Sequence, residues 1–96
     1  LTPANEGMNG ALNKANELVK QNKNSIILQQ FTNKHNPEIH YNITANEILK
    51  DMDNKIDIFV SAVGTGGTIS GIGKKFKEVL PNLKIIAVEP KTYPHQ

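Results

Sequence analysis

Apolar residues recur along this chain in two alternating rhythms. Between Glu6 and Lys20, Met8, Ala11, Leu12, Ala15, Leu18 and Val19 fall at three- and four-residue spacing, which predicts an amphipathic helix. Asn5 is placed to cap it, Glu6 sits near the positive end of its dipole, and the polar tract Gln21-Asn22-Lys23-Asn24 ends it. Ser25 to Phe31, SIILQQF, is a short apolar run that turns polar at its end. That pattern suits a buried parallel strand whose C-terminal end reaches a site. Asn36-Pro37-Glu38 then reads as a helix start, with Asn36 as cap, Pro37 in the first position and Glu38 in the first turn. Ile39, Ile43, Ile48, Leu49 and Met52 form its apolar stripe, looser than the first.

Asp53-Asn54-Lys55 reads as a turn, and Ile56 to Val63, IDIFVSAV, as the second strand. After a glycine-rich loop, Ile69, Ile72, Phe76, Val79 and Leu80 mark a helical face that Pro81 stops. Leu83 to Glu89, LKIIAVE, is the third strand, ended by Pro90. Near-continuous Ile/Val runs alternating with amphipathic helices predict an α/β fold with a parallel sheet.

Composition narrows the choices. The chain has 96 residues, enough for one domain at most. A chain of that size buries only about 60–65% of the surface its unfolded form exposes, so a deep two-walled active site is hard to build from it alone. It opens on Leu1-Thr2-Pro3 and closes on Pro94-His95-Gln96, and the expectation is a segment of a longer protein. Its formal net charge is +2, and all eleven basic residues are lysines. The one cluster, Lys74, Lys75 and Lys77, is followed by Glu78 on a helical pattern and reads as a solvated face. Without arginine, and with few aromatics, no nucleic-acid surface is indicated. The absence of cysteine excludes disulfides, thiolate chemistry and cysteine-ligated metals within these residues, and fits a reducing compartment. No apolar run is long enough to span a bilayer. His35 and His40 are five apart, a poor helical spacing for a shared metal, and read as loop or surface residues, while His95 lies near the chain end.

The candidate chemistry sits in VGTGGTISGIGKKF. Five of the seven glycines, Gly64, Gly66, Gly67, Gly71 and Gly73, fall within ten residues at a strand-to-helix junction. Ligands of α/β sheets bind just past the carboxyl ends of strands. There the first helical N–H groups and the helix dipole favour an anion, and Thr65 and Thr68 add hydroxyl donors. A Walker loop is excluded, because Thr68 stands where its first glycine belongs and Lys75 follows Lys74. A dinucleotide fingerprint from Gly64 fails at Ile69, although Glu89 is placed to suit a ribose-binding acid. Three readings remain open at this point: a dinucleotide module, a cradle for a mononucleotide or phosphate ester, and a plain tight turn.

Taken together, four stretches resemble the cysteine synthase (O-acetylserine sulfhydrylase) and cystathionine β-synthase family of fold-type II pyridoxal-phosphate enzymes. They are LTPANEGMNGA, LQQFTNKHNPEIH, DIFVSAVGTGGTISGIG and VEP, in register along almost the whole chain. The resemblance implies part of a two-domain fold with a three-layer sheet: residues 1–35 from a smaller domain, 36–55 crossing over, and 56–96 from the larger, cofactor-binding domain. It implies that Gly64, Thr65, Gly66, Gly67 and Thr68 hold the phosphate of pyridoxal 5'-phosphate. Gln30 and Phe31 would lie beside the substrate.

The implied reaction of the intact enzyme is replacement of the acetate of O-acetylserine by sulfide to give cysteine. A cytoplasmic homodimer and serine acetyltransferase as a partner go with it, and neither membrane nor nucleic acid. The family's lysine, its Thr-Ser-Gly-Asn type substrate loop and the serine facing the pyridine nitrogen have no match here. No catalytic residue or metal ligand is therefore assigned within these residues, and the chain alone is expected to be inactive. Where the family commonly has a Gly-Pro break, this chain reads Thr44-Ala45-Asn46, so the helix is expected to run on. The closest competing activity is cystathionine β-synthase. Dehydratases of the same fold have a more purely glycine-rich loop, against which Thr65 and Thr68 argue.

Overall fold

The structure is a computed structural model that describes residues 1–92. A 3-10 turn, Ala4–Glu6, leads into helix α1, Gly7–Gln21. Asn5 does not cap α1: it lies inside the turn, and the flanking residue is Glu6, with no side-chain cap bond. The α1 end is closed by Asn22, whose backbone N–H and side-chain amide both donate to the Leu18 carbonyl. No residue of α1 is buried, and Met8 and Leu18 on its apolar stripe are exposed.

The run Ser25–Phe31 forms no strand, contrary to its pattern. A strand needs a hydrogen-bonded neighbour, and no strand lies beside this run among the described residues. Ile26 and Leu28 stand 81% and 74% exposed. Gln29, at φ 59°, turns the backbone, and its carbonyl accepts from the N–H groups of Thr32 and Asn33.

A single helical rod follows in three parts: α2, His35–Ile39; a π-helical turn, His40–Thr44; and α3, Ala45–Asp51. The rod runs on through Thr44-Ala45-Asn46, as expected. Asn36 is not its cap. Asn33 does that work, its Oδ1 accepting from the His35 N–H at 3.0 Å. The π turn inserts an extra residue and rotates the faces, which splits the apolar stripe. Ala45 and Leu49 are buried, whereas Ile39 and Ile43 remain exposed. The rod meets the rest of the chain through Pro37, Tyr41, Ala45 and Leu49, spaced four apart. Asp53 and Asn54 adopt left-handed backbone in the turn that follows, a conformation those two residue types tolerate best after glycine.

Strand β1, Ile58–Ala62, helix α4, Gly67–Val79, and strand β2, Lys84–Val88, form one βαβ unit. The strands pair in parallel from Ile58 with Lys84 to Ala62 with Val88. The ladder is continued by one bond at each end, Lys84 N–H to the Asp57 carbonyl and Val63 N–H to the Val88 carbonyl. The sheet thus has two strands where three were expected.

Its inner face carries the core. Phe76, Ile72, Leu83, Ala45 and Leu49 are buried, with Phe59, Ile85, Ile56, Ile48 and Leu80 packed around them. On the outer face Ile58, Val60, Ile86 and Val88 are about half exposed. No helix among the described residues is long and apolar enough to cross a membrane.

Three of the clustered glycines serve packing. A Cβ on Gly71 would lie 2.1 Å from the Pro37 carbonyl oxygen and 2.9 Å from the His40 Cβ, so α4 and the rod cross backbone against backbone. A Cβ on Gly67 would overlap the Asn36 side chain, and one on Gly73 would press the Ile85 methyl at 3.0 Å. The lysines that follow are not simply solvated. The ammonium groups of Lys74 and Lys75 lie 5.2 and 4.8 Å from the Tyr41 ring centroid, and Lys77 donates to the Leu83 carbonyl.

Candidate functional site

The loop after β1 reaches α4 through Gly66, whose φ of 85° is left-handed and favours glycine. The Gly66 carbonyl accepts from Ser70 N–H at 3.0 Å and starts the helix. The remaining first-turn N–H groups have no acceptor within α4, and they carry the positive end of its dipole. Gly64 is exposed, and a Cβ there would meet nothing within 4 Å, so the loop opens onto free space. Thr68 is exposed and Thr65 half-buried. The geometry suits a phosphate: backbone N–H groups, two hydroxyls and room in front of them. Gly67 is the exception in the group. It is buried, and its N–H points back to the Thr65 Oγ1 at 3.2 Å.

A cavity of about 210 Å³ joins this loop to the turn at Gln30. Gln30, Phe31, Thr65, Gly66, Gly67 and Ser70 all line it. Five of the seven residues singled out from the sequence therefore share one cavity, while Gly64 and Thr68 are not part of its lining. The lining includes one charged side chain, Lys34, and no carboxylate. An anionic ligand would meet a cation and neutral donors there, without opposing charge.

Asn36 holds the two sides together, a role its position before a proline did not reveal. Its Nδ2 donates to the Gln30 carbonyl at 2.9 Å and to the Thr65 Oγ1 at 2.8 Å. A backbone carbonyl only accepts, so the amide nitrogen has to face it. Asn36 and Thr65 are 29 residues apart in sequence, and only the folded crossing of α4 on the rod brings them together.

His40 is likewise not a loop residue. It is half-buried in the π turn, with Nδ1 3.1 Å from Thr44 Oγ1 and Nε2 3.5 Å from Thr68 Oγ1. His35 lies on α2 and pairs with Glu38 at 3.3 Å. No group of three metal-ligating side chains occurs among the described residues, and His95 lies outside them.

Comparison with known proteins sets this geometry in context. The family model described as pyridoxal-phosphate dependent enzyme matches residues 1–96. The chain is 52% identical over 94 residues to cysteine synthase B of Campylobacter jejuni, a match covering 98% of this chain and 31% of that relative. It is 60% identical over 77 residues to cystathionine beta-synthase of Apis mellifera, covering 80% of this chain and 15% of that one. The crystal structure of a hydrogen sulfide-producing enzyme from Fusobacterium nucleatum superposes with a TM-score of 0.93 at 50% identity, over 98% of this chain and 31% of that one. The chain spans about a third of the length of its bacterial relatives.

Proposed function

The chain belongs to the family of pyridoxal-phosphate dependent enzymes, and on that premise we propose that it carries the phosphate cradle and part of the substrate wall of a cysteine synthase. The whole protein replaces the acetate of O-acetylserine by sulfide. The observation that carries this reading is the shared cavity, which sets Gln30 and Phe31 opposite Thr65, Gly66 and Gly67. Within Gly64 to Thr68, the free backbone N–H groups, the α4 dipole and the two threonine hydroxyls hold the phosphate, while Gly67, its N–H committed to Thr65, contributes the close packing that shapes the loop. Gln30, an uncharged donor, orients the substrate carboxylate beside an already anionic cofactor, and Phe31 helps exclude water from that side. When bound, the cofactor supplies the electron sink for the chemistry at the substrate carbons. None of the eleven lysines here is assigned to holding it covalently.

In this reading residues 1–35 belong to a smaller domain, 36–55 cross over, and 56–96 belong to the larger one. The lack of buried residues in α1 supports that division. The cytoplasmic location, the homodimer and the serine acetyltransferase partner implied by the resemblance belong to the same reading, as does the inactivity of residues 1–96 alone. The identity to a cystathionine beta-synthase favours one alternative, in which serine and homocysteine are the substrates.

The test is to assay the full-length protein with pyridoxal phosphate against both substrate pairs. Faster formation of cysteine from O-acetylserine and sulfide is expected. Preferential formation of cystathionine would transfer the assignment to the alternative, and the absence of both products would overturn it.

A further inference from the structure

The hydrogen bonds around Thr65 define more than a contact. A hydroxyl has one proton to give and two lone pairs to accept with. Both lone pairs of Thr65 Oγ1 are engaged, one by the Asn36 amide at 2.8 Å and one by the Gly67 N–H at 3.2 Å. The proton is what remains, so the hydroxyl can act toward a ligand only as a donor. Asn36 in turn gives its second amide hydrogen to the Gln30 carbonyl, at 2.9 Å. We propose that Asn36 is a positioning residue: it commits the Thr65 hydroxyl to donating into the phosphate cradle and locks that hydroxyl to the substrate-side turn.

This deepens the proposed function and rests on it, since it concerns the same cradle. An unconstrained threonine hydroxyl rotates among donor and acceptor arrangements. Selecting the donor before the ligand arrives removes that cost from binding. The shared nitrogen also couples the two walls. A ligand that pulls on Thr65 bears through Asn36 on the backbone at Gln30, and linkage makes the effect mutual. The Asn36 side chain occupies the space that a Cβ on Gly67 would need, so the position is filled by this amide at the expense of a larger residue in the loop.

The experiment uses the full-length protein stripped of cofactor, with inorganic phosphate as probe, read by isothermal titration and by the phosphorus NMR signal of the bound ion. Thr65→Val should weaken phosphate binding by about tenfold, because it removes a donor to a charged acceptor. Asn36→Ala should weaken it about threefold or more in the native background, with a shifted phosphorus signal. In the Thr65→Val background it should change neither, because Asn36 acts through that hydroxyl.

Equal losses from Asn36→Ala in both backgrounds would overturn the positioning role and leave the cradle assignment standing. No loss from Thr65→Val would instead overturn the cradle reading. Asn36→Ser, which keeps a small polar residue in the helix start, carries the same cycle if the alanine variant does not fold. In the cofactor-loaded protein, Asn36→Ala should also raise the KM for the amino-acid substrate more than it lowers kcat, and the converse split would count against coupling to Gln30.

Discussion

Phe59 on β1 and Phe76 on α4 meet edge to face, their ring centroids 5.2 Å apart and their planes at 76°. Phe76 is fully buried, and this pair pins the helix to the inner face of the sheet. Phe76→Ala should cost about 3–5 kcal/mol of stability, combining lost transfer energy with a cavity. Denaturant unfolding of the full-length protein measures it. A loss under about 1 kcal/mol would mean that α4 is held elsewhere.

Gly67→Asp should abolish cofactor retention. A Cβ there runs into the Asn36 side chain, and the carboxylate adds negative charge where a phosphate is to bind. Visible absorbance and cofactor content of the purified variant read this directly, and a fully loaded variant would remove the loop from the cofactor site.

Gln30→Ala should keep the cofactor and weaken substrate binding. The bond from Asn36 goes to the Gln30 backbone carbonyl, which the substitution retains. Normal cofactor content with an amino-acid affinity lowered about tenfold is the expected result, the size of one lost bond to a charged group. Unchanged affinity would place the carboxylate elsewhere.

Tyr41 donates to Glu78 Oε2 at 2.6 Å, and this bond holds its phenol above the ordinary tyrosine value, with desolvation and the Glu78 charge acting the same way. A folded-state value raised above the unfolded one gives a contribution that is complete below about pH 10 and is lost as pH rises through the folded value. Stability of the native protein should therefore fall more steeply above pH 10 than that of Tyr41→Phe. Parallel alkaline limbs, or a Tyr41 phenolate appearing below the ordinary range in difference absorbance, would refute this.

The βαβ unit was readable from sequence because its signals are local. Ile/Val runs set β1 and β2, and Ile72 and Phe76 set the buried face of α4. The Ser25–Phe31 run carried an equally clear apolar signal yet forms no strand, because a strand is a property of a pair. In the stripe of the central rod, Ile39 and Ile43 were misplaced by the π turn, which no regular period anticipates.

At the site, the spacing of the glycines alone left three readings of the loop open; the resemblance of the four stretches named pyridoxal phosphate as the cofactor, in agreement with the family match. The dinucleotide reading, with Glu89 as the ribose acid, yields to the family match. Asn36 was legible only as a helix cap, the commonest use of asparagine before a proline. Its tie to Thr65 depends on a crossing between elements distant in sequence.

The crossing at Gly71 also has a mechanical meaning. Where α4 lies on the rod, main chain touches main chain, with no side chain between to change rotamer or length. The spacing of α4 and the rod at that point is therefore set by atomic radii. Substitution along this contact cannot widen or narrow it by degrees. A relative that handles a bulkier substrate has to make room in the turn instead, at Gln30, Phe31, Thr32 and Lys34, whose side chains are exposed.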